Sequence, residues 1–221
     1  MLKYLFMDFD GVITDTETEV YRLMRDWFVE RTGHILTLEE YAIAAGAWHV
    51  ELVNYIKRKY DSTLDEEAFF AFARSLEERA LGHLPLLPGV ARWLKDAEAL
   101  GISCAIVSSN LARTIHSRLA YLSIRDRFRF VLTAEDTKAL KPAPDLYLKA
   151  LEKAGVCANE ALVIEDSMNG IRAASAAGLS TLAVPCSVTN HYAFPEAWVI
   201  AHSLKEVSLA SIARRFAEEK Q

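Results

Sequence analysis

The sequence predicts an α/β protein: a Rossmann-like parallel sheet with an α-helical domain inserted after its first strand. Three observations carry this expectation. A short apolar strand opens the chain at Leu2–Met7. A long block of helical periodicity with no strand signal follows, to about Leu81. After Pro85 and Pro88-Gly89, strands and helices alternate to the end, the pattern of a parallel sheet covered on both faces.

In the helical block, Val20, Tyr21, Leu23, Met24, Trp27 and Phe28 form an apolar stripe on a first helix beginning near Glu17. A second helix is expected over Thr37–Ala45, with Thr37 as N-cap and Glu40 closing a capping box. His49–Tyr60 and Leu64–Leu81 read as two more helices. Beyond the prolines, helices are expected over Val90–Leu100, Leu111–Leu122, Pro144–Ala154, Met168–Ala177 and Leu204–Glu219. Gly101, Gly155 and Gly178 stop three of them. Strands are expected at Ser103–Val107, Phe130–Leu132, Ala161–Ile164, Thr181–Val184 and Val199–Ala201. The organisation that follows is a discontinuous core, residues 1–15 and 85–221, with a helical cap over 16–84. Hinges are expected near Thr14–Glu17 and Pro85–Gly89.

The 221 residues include 30 acidic and 25 basic side chains, a net charge of −5. That balance argues against nucleic acid or an anionic membrane as the main partner. No apolar stretch reaches the roughly 18 residues a membrane helix needs. The N-terminal run has no small-residue cleavage site, so no signal peptide is expected. Cys104, Cys157 and Cys186 are far apart and form no CxxC pair. Reduced thiols and a cytoplasmic location are therefore expected. The oligomeric state expected is a monomer or a small homo-oligomer.

The chemistry is concentrated where parallel strands end, the edge at which open sheets bind ligands. The first strand delivers Asp8 and Asp10, expected to share one side by strand alternation. Two like charges that close require a cation or a shared proton. The next strand delivers Ser108, followed by Ser109 and Asn110 at a helix start suited to phosphate oxygens. Lys141 stands before Pro142, a mobile point charge for further phosphate. The Ala161–Ile164 strand delivers Glu165 and Asp166, with Ser167 available to cap the next helix. Clustered carboxylates without His or Cys favour a hard cation, and Mg²⁺ is the usual ion where phosphate is bound. A calcium loop is set aside, because Val12 and Ile13 occupy positions where it needs an oxygen ligand and a glycine.

These motifs resemble, in order, those of the haloacid dehalogenase superfamily, in its phosphatase and β-phosphoglucomutase-like branch. They are Asp8-Phe9-Asp10-Gly11-Val12 with Thr14-Asp15-Thr16, Val107-Ser108-Ser109-Asn110, Lys141-Pro142, and Ile164-Glu165-Asp166-Ser167 followed by Gly170. The resemblance implies a nucleophile at Asp8 that forms an aspartyl-phosphate, and an acid/base at Asp10. It implies Mg²⁺ held by Asp8, the Asp10 backbone carbonyl and Asp166, with Glu165 direct or through water. Ser108 and Lys141 would stabilise the transferring group, with help from Ser109 and Asn110. Gly11 would let the chain turn tightly beside the phosphate. An acid at position 10 argues against dehalogenation. The Gly46-Ala47-Trp48-His49 turn, which resembles a substrate-specificity loop, lacks the lysine of phosphonate hydrolysis and the cation of a mutase. Trp48 and His49 are the candidates for leaving-group contact. The expected function is a phosphatase for a small phosphorylated metabolite. A β-phosphoglucomutase-type mutase is the alternative, with phosphonate hydrolysis and non-catalytic phosphate sensing behind it.

Overall fold

The structure is a computed structural model that describes residues 1–41, 50–59, 64–79, 81–190 and 192–219. The chain divides into two compact units, Met1–Asp15 with Pro85–Gln221, and Thr16–Leu84.

The first unit is built on six parallel strands: β1 (Tyr4–Met7), β2 (Ser103–Val107), β3 (Val131–Leu132), β4 (Ala161–Glu165), β5 (Ser180–Ala183) and β6 (Val199–Ile200). Their spatial order is β3-β2-β1-β4-β5-β6. The chain therefore moves outward from β1 on one side, then returns and builds the other side. β1 lies at the point where the order reverses, which is where open sheets leave a crevice for ligands. Met7 is in register with Ile106 of β2 and Ile164 of β4, so the residues after β1 meet the ends of both neighbours.

Strand alternation sends side chains into two cores. Leu5, Met7, Ile106, Leu162 and Ile164 join Trp93 and Leu94 of α1 (Val90–Ala99), Ile115 and Leu119 of α2 (Ala112–Tyr121), and Phe216 of α5 (Leu209–Glu219). Phe6, Ala105, Val107 and Val163 face the other way. They pack against Leu146, Tyr147 and Ala150 of α3 (Asp145–Ala154) and Ala173 and Ala174 of α4 (Met168–Ala176). The expected parallel α/β sheet is thus the observed one. Its helix ends follow local chemistry. Gly155 closes α3 in the left-handed region at φ 65°, and Ser167 caps α4 by accepting the Gly170 N–H at 3.1 Å.

Several expected boundaries shift. The closing helix begins at Leu209 rather than Leu204. The carbonyls of Leu204 and Val207 accept the indole N–H of Trp93, at 3.0 and 3.1 Å, so this segment is recruited as a loop. α2 begins at Ala112, and its cap is neither Ser108 nor Asn110. Leu111 occupies the N-cap, and the Ala112 N–H donates to the Glu135 carboxylate at 3.0 Å.

The second unit holds four described α-helices, Thr16–Thr32, Leu38–Tyr41, Val50–Lys59 and Glu66–Arg79, and a 3-10 turn at Leu81–His83. Trp27 stacks on Phe72 at 5.6 Å and meets Phe28 and Phe69 edge-on. The Thr37–Glu40 capping box forms in both directions, at 3.1 and 3.3 Å. The rest of the helix expected to Ala45 lies outside the described residues, as do Trp48 and His49. Among the described residues no helix is long and apolar enough to cross a membrane.

Trp93 is fully buried and its indole N–H joins α1 to the segment before α5. Trp93→Ala should cost about 3–5 kcal/mol of stability, read from the midpoint of urea unfolding.

Candidate active site

β1 ends at Met7, and the side chains of Leu5, Met7 and Phe9 enter the same core. Phe9 turns into the first core, and Asp10 forms an isolated bridge with Thr14. The two acids nonetheless acquire different partners. Asp8 faces the ends of β2 and β4. Asp10 faces α2.

Around Asp8 the contacts converge on one ammonium. Lys141 Nζ donates to Asp8 Oδ1 at 2.6 Å, to Glu165 Oε1 at 2.7 Å and to the Val107 carbonyl at 2.8 Å. All three of its protons are thereby committed, and its side chain is 6% exposed. The mobile phosphate-seeking lysine expected from the sequence is instead a fixed post. Three acceptors at the ends of three strands remove its freedom.

Glu165 is wholly buried, and both of its oxygens are occupied. Oε1 accepts Lys141 and the Tyr147 hydroxyl, the latter at 2.9 Å. Oε2 accepts the backbone N–H of Asp166 and Ser167 and the Ser167 hydroxyl, at 3.1 to 3.3 Å. Five donors fill the roughly four lone-pair sites of a carboxylate. The ring of Tyr147 also lies 5.0 Å from Lys141 Nζ, a cation–π contact.

Asp8, Glu165 and Asp166 bring ligand oxygens within 4.8 Å of one another, and all three are buried. Two glycines make room for them. A Cβ on Gly11, whose φ is +78°, would run into the Asp166 carboxylate, and one on Gly170 would run into that of Glu165. The Gly11 N–H itself donates to the Thr14 carbonyl at 2.8 Å. Gly11 therefore serves the acid cluster by its lack of a side chain.

One ammonium cannot neutralise three buried carboxylates. Burial alone would lower Lys141, but the Asp8 and Glu165 charges outweigh it and hold its pKa well above the usual lysine value. Asp8 is the group left short. Burial pushes it up to about 8 despite Lys141, and the Glu165 and Asp10 charges add to the rise. The donor set fits a hard divalent cation. It is oxygen only, excess in negative charge and dry, and its leading carboxylate ionises poorly without added positive charge.

Asp10 is held at both ends. Oδ1 accepts Arg118 Nη1 at 2.7 Å, and Oδ2 accepts Asn110 Nδ2 at 3.1 Å. Asn110 is positioned in turn, its side-chain oxygen accepting the Leu111 N–H at 2.7 Å and its carbonyl accepting the Ala134 N–H. Ser108 is buried at the end of β2, and its hydroxyl accepts the Asn110 N–H at 3.1 Å. The Ser109 hydroxyl is buried with no hydrogen-bond partner among the described residues.

The sequence reading missed Arg118 and Tyr147. Both lie on helix faces that are otherwise apolar, Arg118 with Ile115 and Leu119, and Tyr147 with Leu146 and Ala150. A charged residue inside an apolar stripe was the available signal for Arg118.

The sequence pattern of the haloacid dehalogenase-like hydrolases matches residues 5–184. The Bacillus subtilis (strain 168) protein named "Putative phosphatase YhcW" is 32% identical over 211 residues, covering 95% of this chain and 96% of that protein. Among solved structures, CbbY from Rhodobacter sphaeroides, a mutant in complex with xylulose-(1,5)bisphosphate, gives a TM-score of 0.77 at 25% identity. That match covers 95% of this chain and 98% of CbbY. A Deinococcus radiodurans R1 hydrolase with bound phosphate and sodium gives 0.80 at 25% identity, over 97% of each chain. The chain belongs to the haloacid dehalogenase-like hydrolase family.

The proton balance of Asp8 yields a prediction. The unfolded chain releases this proton near pH 3.8, whereas the folded, metal-free protein holds it to about 8. Between those values the folded state binds the extra proton, so metal-free stability should fall as pH rises. A divalent cation displaces that proton, so its stabilising effect should grow from pH 6 to pH 8. Thermal unfolding with and without the cation across this range provides the measurement, and a cation effect that shrinks with pH contradicts the assignment.

Proposed function

We propose that this chain is a Mg²⁺-dependent phosphatase for a small phosphate monoester, working through an aspartyl-phosphate on Asp8. The observation that carries this reading is the division of labour between two carboxylates. Asp8 is buried among Lys141, Glu165 and Asp166, whereas Asp10 is held apart by Arg118 and Asn110 with its side chain 20% exposed. A nucleophile needs a fixed, cation-assisted anion, and an acid/base needs access to a proton.

In this reading an Asp8 carboxylate oxygen attacks phosphorus, and the bond from phosphorus to the leaving oxygen breaks. Asp10 gives its proton to that oxygen. Asp10, now an anion, takes a proton from water as the water oxygen attacks the aspartyl-phosphate. Inorganic phosphate leaves and Asp8 is regenerated. Lys141 keeps the Asp8 carboxylate oriented, and the Ser108, Ser109 and Asn110 segment lines the phosphoryl site. Mg²⁺, held by Asp8 and Asp166 with the Asp10 carbonyl and with Glu165 behind them, would lower the repulsion between the nucleophile and an anionic phosphate. Glu165 is placed behind because its lone pairs are already engaged.

The relatives support a small phosphorylated substrate. One bears a phosphatase name, one binds a pentulose bisphosphate and one binds phosphate. The helical unit, residues 16–84, acts as the cap that selects the leaving group in this reading. Residues 46–49 carry no Arg or Lys to grip the second phosphate that a mutase requires, which favours hydrolysis over mutase chemistry.

Asp8→Asn should abolish turnover of a phosphate monoester panel without loss of fold, and Asp10→Asn should slow kcat by ~10²- to 10⁴-fold. EDTA should stop turnover, with recovery on adding Mg²⁺ but not the larger Ca²⁺. Near-normal turnover by Asp8→Asn would falsify the nucleophile assignment. Release of glucose 6-phosphate from β-glucose 1-phosphate would replace hydrolysis with the mutase reading.

A further inference from the structure

We infer that Arg118 is a positioning residue for the proton-transfer step, locking the Asp10 carboxylate in line with the leaving group. The inference rests on the phosphatase reading above and extends it to a residue on α2, outside the motif segments 8–16, 107–110, 141–142 and 164–170. Four observations carry it.

The Arg118 side chain is 3% exposed, far below what is normal for a lone arginine. Its one carboxylate partner among the described residues is Asp10, at 2.7 Å. Its guanidinium lies 5.8 Å from the ring of Phe9, the residue between the two acids, so it buttresses the turn that aims Asp10. Its Nε and Nη2 groups are buried with no hydrogen-bond partner among the described residues.

The last observation decides between structural and functional roles. Burying a guanidinium costs free energy, and the cost is offset only when its donors are matched. Arg118 has two unmatched nitrogen groups. As a core residue it is therefore a poor choice. An apolar side chain beside Ile115 and Leu119 would fill the same position with no desolvation cost. What the guanidinium supplies is a fixed point for Asp10 Oδ1, while Asn110 fixes Oδ2. Each bond occupies one lone pair of its oxygen, so a lone pair remains to carry the mobile proton. Held at both ends, the carboxylate cannot swing away between protonating the leaving oxygen and deprotonating water. A general acid that wanders by an ångström forfeits much of its effect.

The test is Arg118→Met, which keeps the length of the side chain and removes its charge. We expect kcat on the best monoester to fall ~10- to 100-fold, with KM little changed and Tm lowered by the loss of the Asp10 counter-charge. In an Asp10→Asn background the same substitution should cost little further kcat, because the group it positions no longer transfers a proton. Arg118→Lys, which restores a cation at shorter reach, should recover part of the loss. It also serves if the methionine variant folds poorly. Wild-type kcat in folded Arg118→Met, or an equal loss of kcat in the Asp10→Asn background, overturns the inference. A lowered Tm with kcat intact overturns it also, in favour of a structural role. These outcomes leave the phosphatase reading standing. A wild-type protein with no turnover of any monoester defeats both together.

Discussion

Lys141 Nζ joins the ends of three neighbouring strands at one point. Its acceptors are the Val107 carbonyl after β2, the Asp8 carboxylate after β1 and the Glu165 carboxylate that ends β4. A parallel sheet brings these ends to one edge but does not set their side chains relative to one another. A tripod of short, charge-assisted hydrogen bonds does so. Removing the ammonium would leave two carboxylates buried without their counter-ion, among the costliest single changes a core can suffer. The site and the sheet edge are therefore one construction.

Glu165 passes that constraint onward. One of its oxygens faces Lys141 and Tyr147, and the other faces the backbone of Asp166 and Ser167 and the Ser167 hydroxyl. Ser167 in turn caps α4. The chain from Lys141 to the start of α4 is thus continuous in hydrogen bonds, and Asp166 is delivered to the cluster from a rigid turn. The two glycines belong to the same construction. Bare backbone at Gly11 and Gly170 lets two carboxylates sit closer to the chain than any side chain would allow.

The fold class was legible because strand–helix alternation after Gly89 is a period effect that single residues rarely obscure. The acid cluster was legible because short motifs at strand ends carry their own geometry. Asp8, Glu165 and Asp166 do meet, and Lys141 does reach Asp8 and Glu165. What sequence missed follows from the same physics. Arg118 and Tyr147 are polar residues on buried helix faces, and apolar periodicity absorbs them unless each exception is questioned. The Leu204–Ser208 segment has helical composition but lies outside α5, with the Leu204 and Val207 carbonyls spent on Trp93. That is a tertiary preference over a local one.

One short segment gives its two acids opposite electrostatic surroundings. Asp8 is surrounded by more negative than positive charge and is dry, so its anionic form is costly in the protein alone. A bound cation would remove that cost, and ionised Asp8 would make the folded state a better ligand for the ion. Asp10 has the opposite provision. Its counter-charge, Arg118, is built into the chain, and its side chain stays partly exposed. One acid is thus balanced by a charge fixed in the chain, and the other is left short of one.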